Sequence, residues 1–84
     1  MIDILYFARV REQLGRSEEQ LELPPGVGRV ADLLTLLRDR GEPWATALSA
    51  DTVLLMAVNQ AIARLDTPLK DGDEIAIFPP VTGG

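Results

Sequence analysis

Apolar and polar positions along the chain change period several times, and each change marks an expected element. Ile2, Ile4, Tyr6 and Ala8 alternate with other residues, which predicts a first strand over 2–8 with one inward face. Leu5 and Phe7 fall on its other face, so that face is either buried as well or an exposed adhesive patch. Residues 9–15 read as a connector with room for a helical turn, closed by Gly15. Residues 18–23 predict a second strand with Leu21 and Leu23 inward, ended by Pro24-Pro25-Gly26. The period then becomes helical. Val30, Leu33, Leu34 and Leu37 stand at i, i+3, i+4 and i+7, predicting a helix over 30–40. Arg38 and Arg40 suit its C-terminal dipole, Gly41 suits its cap, and Arg29 is a poor N-cap. Residues 43–50 predict a short helical turn anchored by Trp44, read as a packing residue. Residues 53–58 predict a third strand, turned by Asn59-Gln60 into Ala61-Ile62-Ala63. Residues 65–69 look irregular and 70–73 a tight turn. Residues 74–78 predict the last strand, stopped by Pro79-Pro80.

An opening hairpin, one main helix laid across a mixed sheet and a final strand make an α+β fold with the layout of a β-grasp domain. In that layout the last strand lies centrally, beside the first, and the C-terminal tail leaves from the end of the sheet. The 84 residues are expected to form one domain over 1–84, with 81–84 as an extended, flexible tail. No linker, repeat or low-complexity stretch interrupts them.

Charge and composition then narrow the chemistry. Thirteen acids against eight bases give a net charge of −5. No basic run is present, which argues against nucleic acid or an anionic membrane as partner and favours a basic protein surface. The chain has no Cys and no His. That removes thiolate nucleophiles, zinc fingers and the usual neutral-pH general base. The missing Cys, the lack of a basic-then-apolar start and the shortness of the longest apolar run suggest a cytoplasmic protein. Asp71, Asp73 and Glu74 cluster acids, but without the length or ligand count of a calcium loop, so they read as a turn around Gly72.

The remaining candidate is the ending, Phe78-Pro79-Pro80-Val81-Thr82-Gly83-Gly84. Two glycines can thread a channel too narrow for other residues and take φ values that L-residues avoid. The prolines fix where the arm begins. Residues 81–84 reach at most roughly 13–14 Å. What the arm delivers is the terminal carboxylate, an anion at neutral pH and a poor electrophile until activated. No P-loop is present, so ATP chemistry must come from another protein.

These pieces together resemble a known family, the small subunits of molybdopterin synthase, which are ubiquitin-like sulfur carriers. The likeness is carried by Tyr6-Phe7-Ala8, Arg11-Glu12 and Gly15, by Val58-Asn59, by Pro68-Leu69 with Asp71-Gly72-Asp73-Glu74, and above all by the ending. The thiazole-pathway carriers share Gly-Gly but lack the Phe-Pro-Pro approach. The resemblance implies that Gly84, with Gly83, is the reactive site. An adenylyltransferase resembling the ubiquitin-activating enzymes spends ATP on the Gly84 carboxylate, a sulfur donor converts it to a thiocarboxylate, and the large synthase subunit accepts the tail. Sulfur then passes to cyclic pyranopterin monophosphate, building the dithiolene that holds molybdenum. The chain itself is implied to bind no cofactor and to be inactive alone, as part of a heterotetramer. Phe7, Arg11, Phe78, Pro79, Pro80, Val81 and Thr82 are the expected partner-binding residues. Sulfur supply to thiazole, cysteine or tungsten-cofactor synthesis stays open, as does a ubiquitin-like modifier joined to lysines through Gly84. So does an interaction domain whose Gly-Gly is incidental.

Overall fold

The last strand does lie in the middle of the sheet. In the computed structural model, which describes residues 1–80, eight elements follow one another: β1 (Ile2–Tyr6), α1 (Ala8–Leu14), β2 (Glu18–Leu21), α2 (Val30–Arg38), α3 (Trp44–Ala47), β3 (Leu55–Val58), β4 (Ala61–Ala63) and β5 (Glu74–Phe78). The strands form one mixed sheet in the order β2-β1-β5-β3-β4. β1 and β5 are parallel, with Ile4 beside Ile75 and Tyr6 beside Ile77. Every other neighbouring pair is antiparallel. This is the expected α+β, β-grasp arrangement.

The period-two residues Ile2, Ile4 and Tyr6 of β1 are buried together with Ile75 and Ile77 of β5 and Met56 of β3. They pack against Val30, Leu33, Leu34 and Leu37 of α2 and against Val10, Trp44, Ala47 and Leu48. A nine-residue helix is marginal alone. Burial of its four apolar residues, worth about 1.5–3 kcal/mol for each Leu or Val, is what holds it. Arg29 indeed supplies no side-chain cap. The helix instead finds acceptors in the irregular segment, where Val30 N–H donates to Thr67 O at 3.0 Å and Ala31 N–H to Leu65 O at 2.9 Å.

Several boundaries differ from the sequence reading. The first strand stops at Tyr6, and Ala8 does not share its inward face. Ala8 is exposed with φ 52° and opens α1, a seven-residue helix where a connector with room for one helical turn was expected. Gly15 closes that helix at φ 72°. β2 ends at Leu21, and Leu23 packs on the core from the following loop. α2 ends at Arg38 with Asp39 as its cap, while Gly41 (φ 93°) closes the next turn by donating to Arg38 O. Val53 lies outside β3, 68% exposed. The Asn59-Gln60 hairpin turn forms as read, with both residues at positive φ (51° and 70°) as a type I′ turn requires.

Candidate functional site

Because β1 and β5 run in parallel, they finish at the same end of the sheet. There β1 passes through Phe7 into α1, and β5 passes through Phe78 into Pro79-Pro80. Phe7 N–H donates to Ile77 O at 3.1 Å, which ties the two exits together. The expected site residues Phe7, Phe78, Pro79 and Pro80 are therefore neighbours. Arg11 lies one helical turn into α1, exposed, its N–H on Phe7 O at 3.4 Å. Val81, Thr82, Gly83 and Gly84 lie outside the described residues.

The helices cover one face of the sheet and leave the other open. Register assigns the open face. Leu5 pairs with Ala76, Ala76 with Ala57, and Ala57 with Ile62, so one apolar row crosses four strands. Phe78 faces Leu55 in a second row at the tail end. Phe7 is 44% exposed and Ile62 74%. Of the two alternatives for Leu5 and Phe7, the exposed one holds for Phe7, while Leu5 is half-buried on a face that no helix covers. Asp3 and Glu74 sit side by side on the same face toward the other end. Leu55, Ala57, Ile62 and Ala76 were not singled out from sequence. Alternation gives their face, but only the strand order puts them beside Leu5.

On the opposite side of the exit, a groove of about 690 Å³ runs between α1 and the loop before β3, lined by Arg9, Gln13, Thr52, Val53 and the two prolines. Ala8 also lines it, in a left-handed conformation that costs an L-residue about 1 kcal/mol.

Two charged clusters set the frame. At the start of β5, Asp73 is buried at 4% exposure. Its carboxylate accepts from Asn59 Nδ2 at 3.0 Å and from Lys70 N–H at 2.9 Å. Asn59 Oδ1 in turn accepts from Glu74 N–H at 3.0 Å. Burial works to raise the Asp73 pKa, but these hydrogen bonds and the Lys70 charge outweigh it and hold the group below its ordinary value. The acidic segment is the turn read from sequence, and the Asp73 and Asn59 bonds add a structural lock that fixes where β5 begins. At the β2 side, Glu19 accepts from Tyr6 OH at 2.6 Å and from Arg40 at 2.8 Å, with Arg16 at 3.3 Å. Burial, and then the bond to Glu19, push the Tyr6 hydroxyl far above its usual pKa. Burial would raise the Glu19 pKa, yet the bonds from Arg40 and Tyr6 and the two arginine charges leave it lowered. Trp44 closes this cluster. Tyr6 meets its ring edge-on at 5.7 Å, and the Arg40 and Arg16 guanidiniums stand 4.5 and 5.4 Å from the ring centre. It is a packing residue.

Among the described residues no group of three or more Asp or Glu could hold a metal ion, and no helix is long and apolar enough to cross a membrane. The arrangement offers an arm anchored at a defined point, with an apolar face beside it.

Known proteins share this arrangement. The pattern of the ThiS family matches residues 4–84. The molybdopterin synthase sulfur carrier subunit of Escherichia coli (strain K12) is 45% identical over 84 residues, covering 100% of both chains. A Pyrococcus furiosus protein assigned as molybdopterin converting factor subunit 1 superposes with TM-score 0.76 at 36% identity, covering 95% of this chain and 97% of that one. A complex of subunits 1 and 2 of the molybdopterin-converting factor from Helicobacter pylori gives a chain with TM-score 0.64 at 26% identity, covering 99% of this chain and 97% of that one. The chain belongs to the ThiS family and, within it, groups with the molybdopterin synthase sulfur carrier subunits.

Proposed function

We propose that this chain is the sulfur carrier and small subunit of a molybdopterin synthase, with the Gly84 carboxylate as the group that carries sulfur. The observation behind this reading is the end-to-end likeness to a sulfur carrier subunit, closing on Gly83-Gly84 directly after an apolar, uncovered sheet face.

The chemistry follows from the carboxylate. One of its oxygens attacks the α-phosphorus of ATP on an adenylyltransferase, releasing pyrophosphate and leaving an acyl adenylate. A sulfur nucleophile then attacks the acyl carbon, AMP departs, and a thiocarboxylate remains. Its sulfur is the nucleophile passed to cyclic pyranopterin monophosphate, and two loaded chains are needed for the two sulfurs of the dithiolene. This chain's own residues bind and aim. Gly83 and Gly84 let the arm enter a narrow site. Pro79 and Pro80 restrict the backbone at its root. Phe7 and Phe78, with the row from Leu5 to Ile62, give the large subunit an apolar surface to cover, and Arg11, Val81 and Thr82 complete the contact. The paired subunits of the Helicobacter pylori complex support a large-subunit partner, here in a heterotetramer.

Intact mass after incubation with ATP, the cognate adenylyltransferase and a sulfide donor tests the loading step. The reading requires an oxygen-to-sulfur mass increase that disappears when Gly84 is deleted. An unchanged mass, in a mixture that loads another carrier, would remove it.

A further inference from the structure

Seven of the chain's eight basic side chains are arginines, and the single lysine is Lys70. An activated acyl group is open to any amine that reaches it. The nitrogen bonds to the acyl carbon, the leaving group departs, the amine gives a proton to solvent, and an amide closes the chain on itself. A well-placed intramolecular nucleophile reaches effective molarities of up to about 10⁵–10⁸ M, far beyond any sulfur donor in solution. Arginine does not compete, because its guanidinium keeps its proton.

The placement of the amines is one-sided. Lys70 is exposed in the turn that enters β5, and its backbone N–H is held by Asp73. The Met1 amine ion-pairs with Asp71 in the same turn. The parallel pairing of β1 and β5 puts both amines where the two strands begin, and the tail leaves where they end. At about 3.3 Å per residue, the path from Pro80 back to Glu74 is roughly 20 Å, and Lys70 stands a turn further. Four residues beyond Pro80 reach roughly 13–14 Å. Around the exit, the polar side chains beside Pro79 and Pro80 include Arg9 and Gln13, neither of them an amine.

We propose that this placement keeps the activated carboxyl terminus out of reach of the chain's own amines and so reserves it for a nucleophile supplied from outside. The inference rests on the reading that Gly84 is activated, and its test bypasses the activating enzyme so that the two can fail separately.

The full chain is prepared as a C-terminal thioester by intein cleavage, as wild type, Arg9→Lys and Gln13→Lys, and incubated dilute at mildly alkaline pH. Wild type gives only the hydrolysed acid. The two variants give a product one water lighter than the acid, at least about tenfold above the wild-type level, with the new amide mapped by tandem mass spectrometry to position 9 or 13. Glycinamide added in parallel is captured by all three, which shows that the thioester is live. Ring closure of wild type on Lys70 or Met1 would overturn the proposal. So would hydrolysis alone in both variants while glycinamide is captured.

Discussion

Replacing Asn59 with alanine should cost more than its exposure suggests. The residue is solvent-facing, yet its side chain donates to the buried Asp73 carboxylate and accepts from Glu74 N–H, each at 3.0 Å. The first bond reaches a charged group and is worth about 1.5–3 kcal/mol, and the second about 0.5–1.5 kcal/mol. Alanine at φ 51° adds about 1 kcal/mol of backbone strain that glycine would not. Water recovers part of this at the rim, so Asn59→Ala should lose about 2–4 kcal/mol and Asn59→Gly about 1 kcal/mol less. For a domain of this size that lowers Tm by about 10–20 °C for the alanine variant. The loss should also depend on pH. The Asp73 pKa is held low in the folded chain, so the carboxylate stabilises the fold above its unfolded pKa, and that contribution disappears as pH falls through the folded value. Asn59 is the first of the causes holding it low, so the gap between wild type and variant should narrow between about pH 7 and pH 2–3. Urea unfolding at both pH values measures it. A loss under about 0.5 kcal/mol, or one independent of pH, would refute the lock.

Other perturbations separate the frame from the site. Gln60→Gly places glycine at φ 70° in the type I′ turn and should stabilise by about 1 kcal/mol, read as a higher urea midpoint at unchanged slope. Phe7→Ala removes an aromatic that is 44% exposed on the open face. It should move Tm little yet weaken large-subunit binding by about 10-fold or more in titration calorimetry, the effect of losing about 1.4 kcal/mol or more of buried contact. Gly84→Ala should unfold at the wild-type temperature but form thiocarboxylate more slowly, and normal turnover would remove the steric role given to the last glycine.

Much of this architecture is written in periodicity. The alternation in residues 2–6 and 74–78 and the 3.6-residue spacing of Val30, Leu33, Leu34 and Leu37 place the core before any coordinates. What sequence hides are features whose cause is distant. β1 ends because Ala8 takes a left-handed conformation that its residue type does not announce, which lets Phe7 O accept from Arg11 N–H and open α1. α2 draws its cap from Leu65 and Thr67, thirty-odd positions along the chain, so a local search around Arg29 finds none. The site divides in the same way. Phe7 and Phe78 are legible from alternation and from the proline stop, whereas the row through Ala76, Ala57 and Ile62 exists only once β5 lies between β1 and β3. Asp73 is legible as a turn residue, but its burial against Asn59 is a consequence of sheet closure.

In the proposed function, Gly84 delivers sulfur to a pterin. The most direct test is a single turnover with purified thiocarboxylate-loaded chain, the large subunit and cyclic pyranopterin monophosphate, following intact mass and pterin product together. The chain should return to its carboxylate mass as sulfur appears in the pterin, two chains per dithiolene. A thiocarboxylate that persists beside its large subunit and acceptor, or that is consumed with no sulfur entering the pterin, would contradict it.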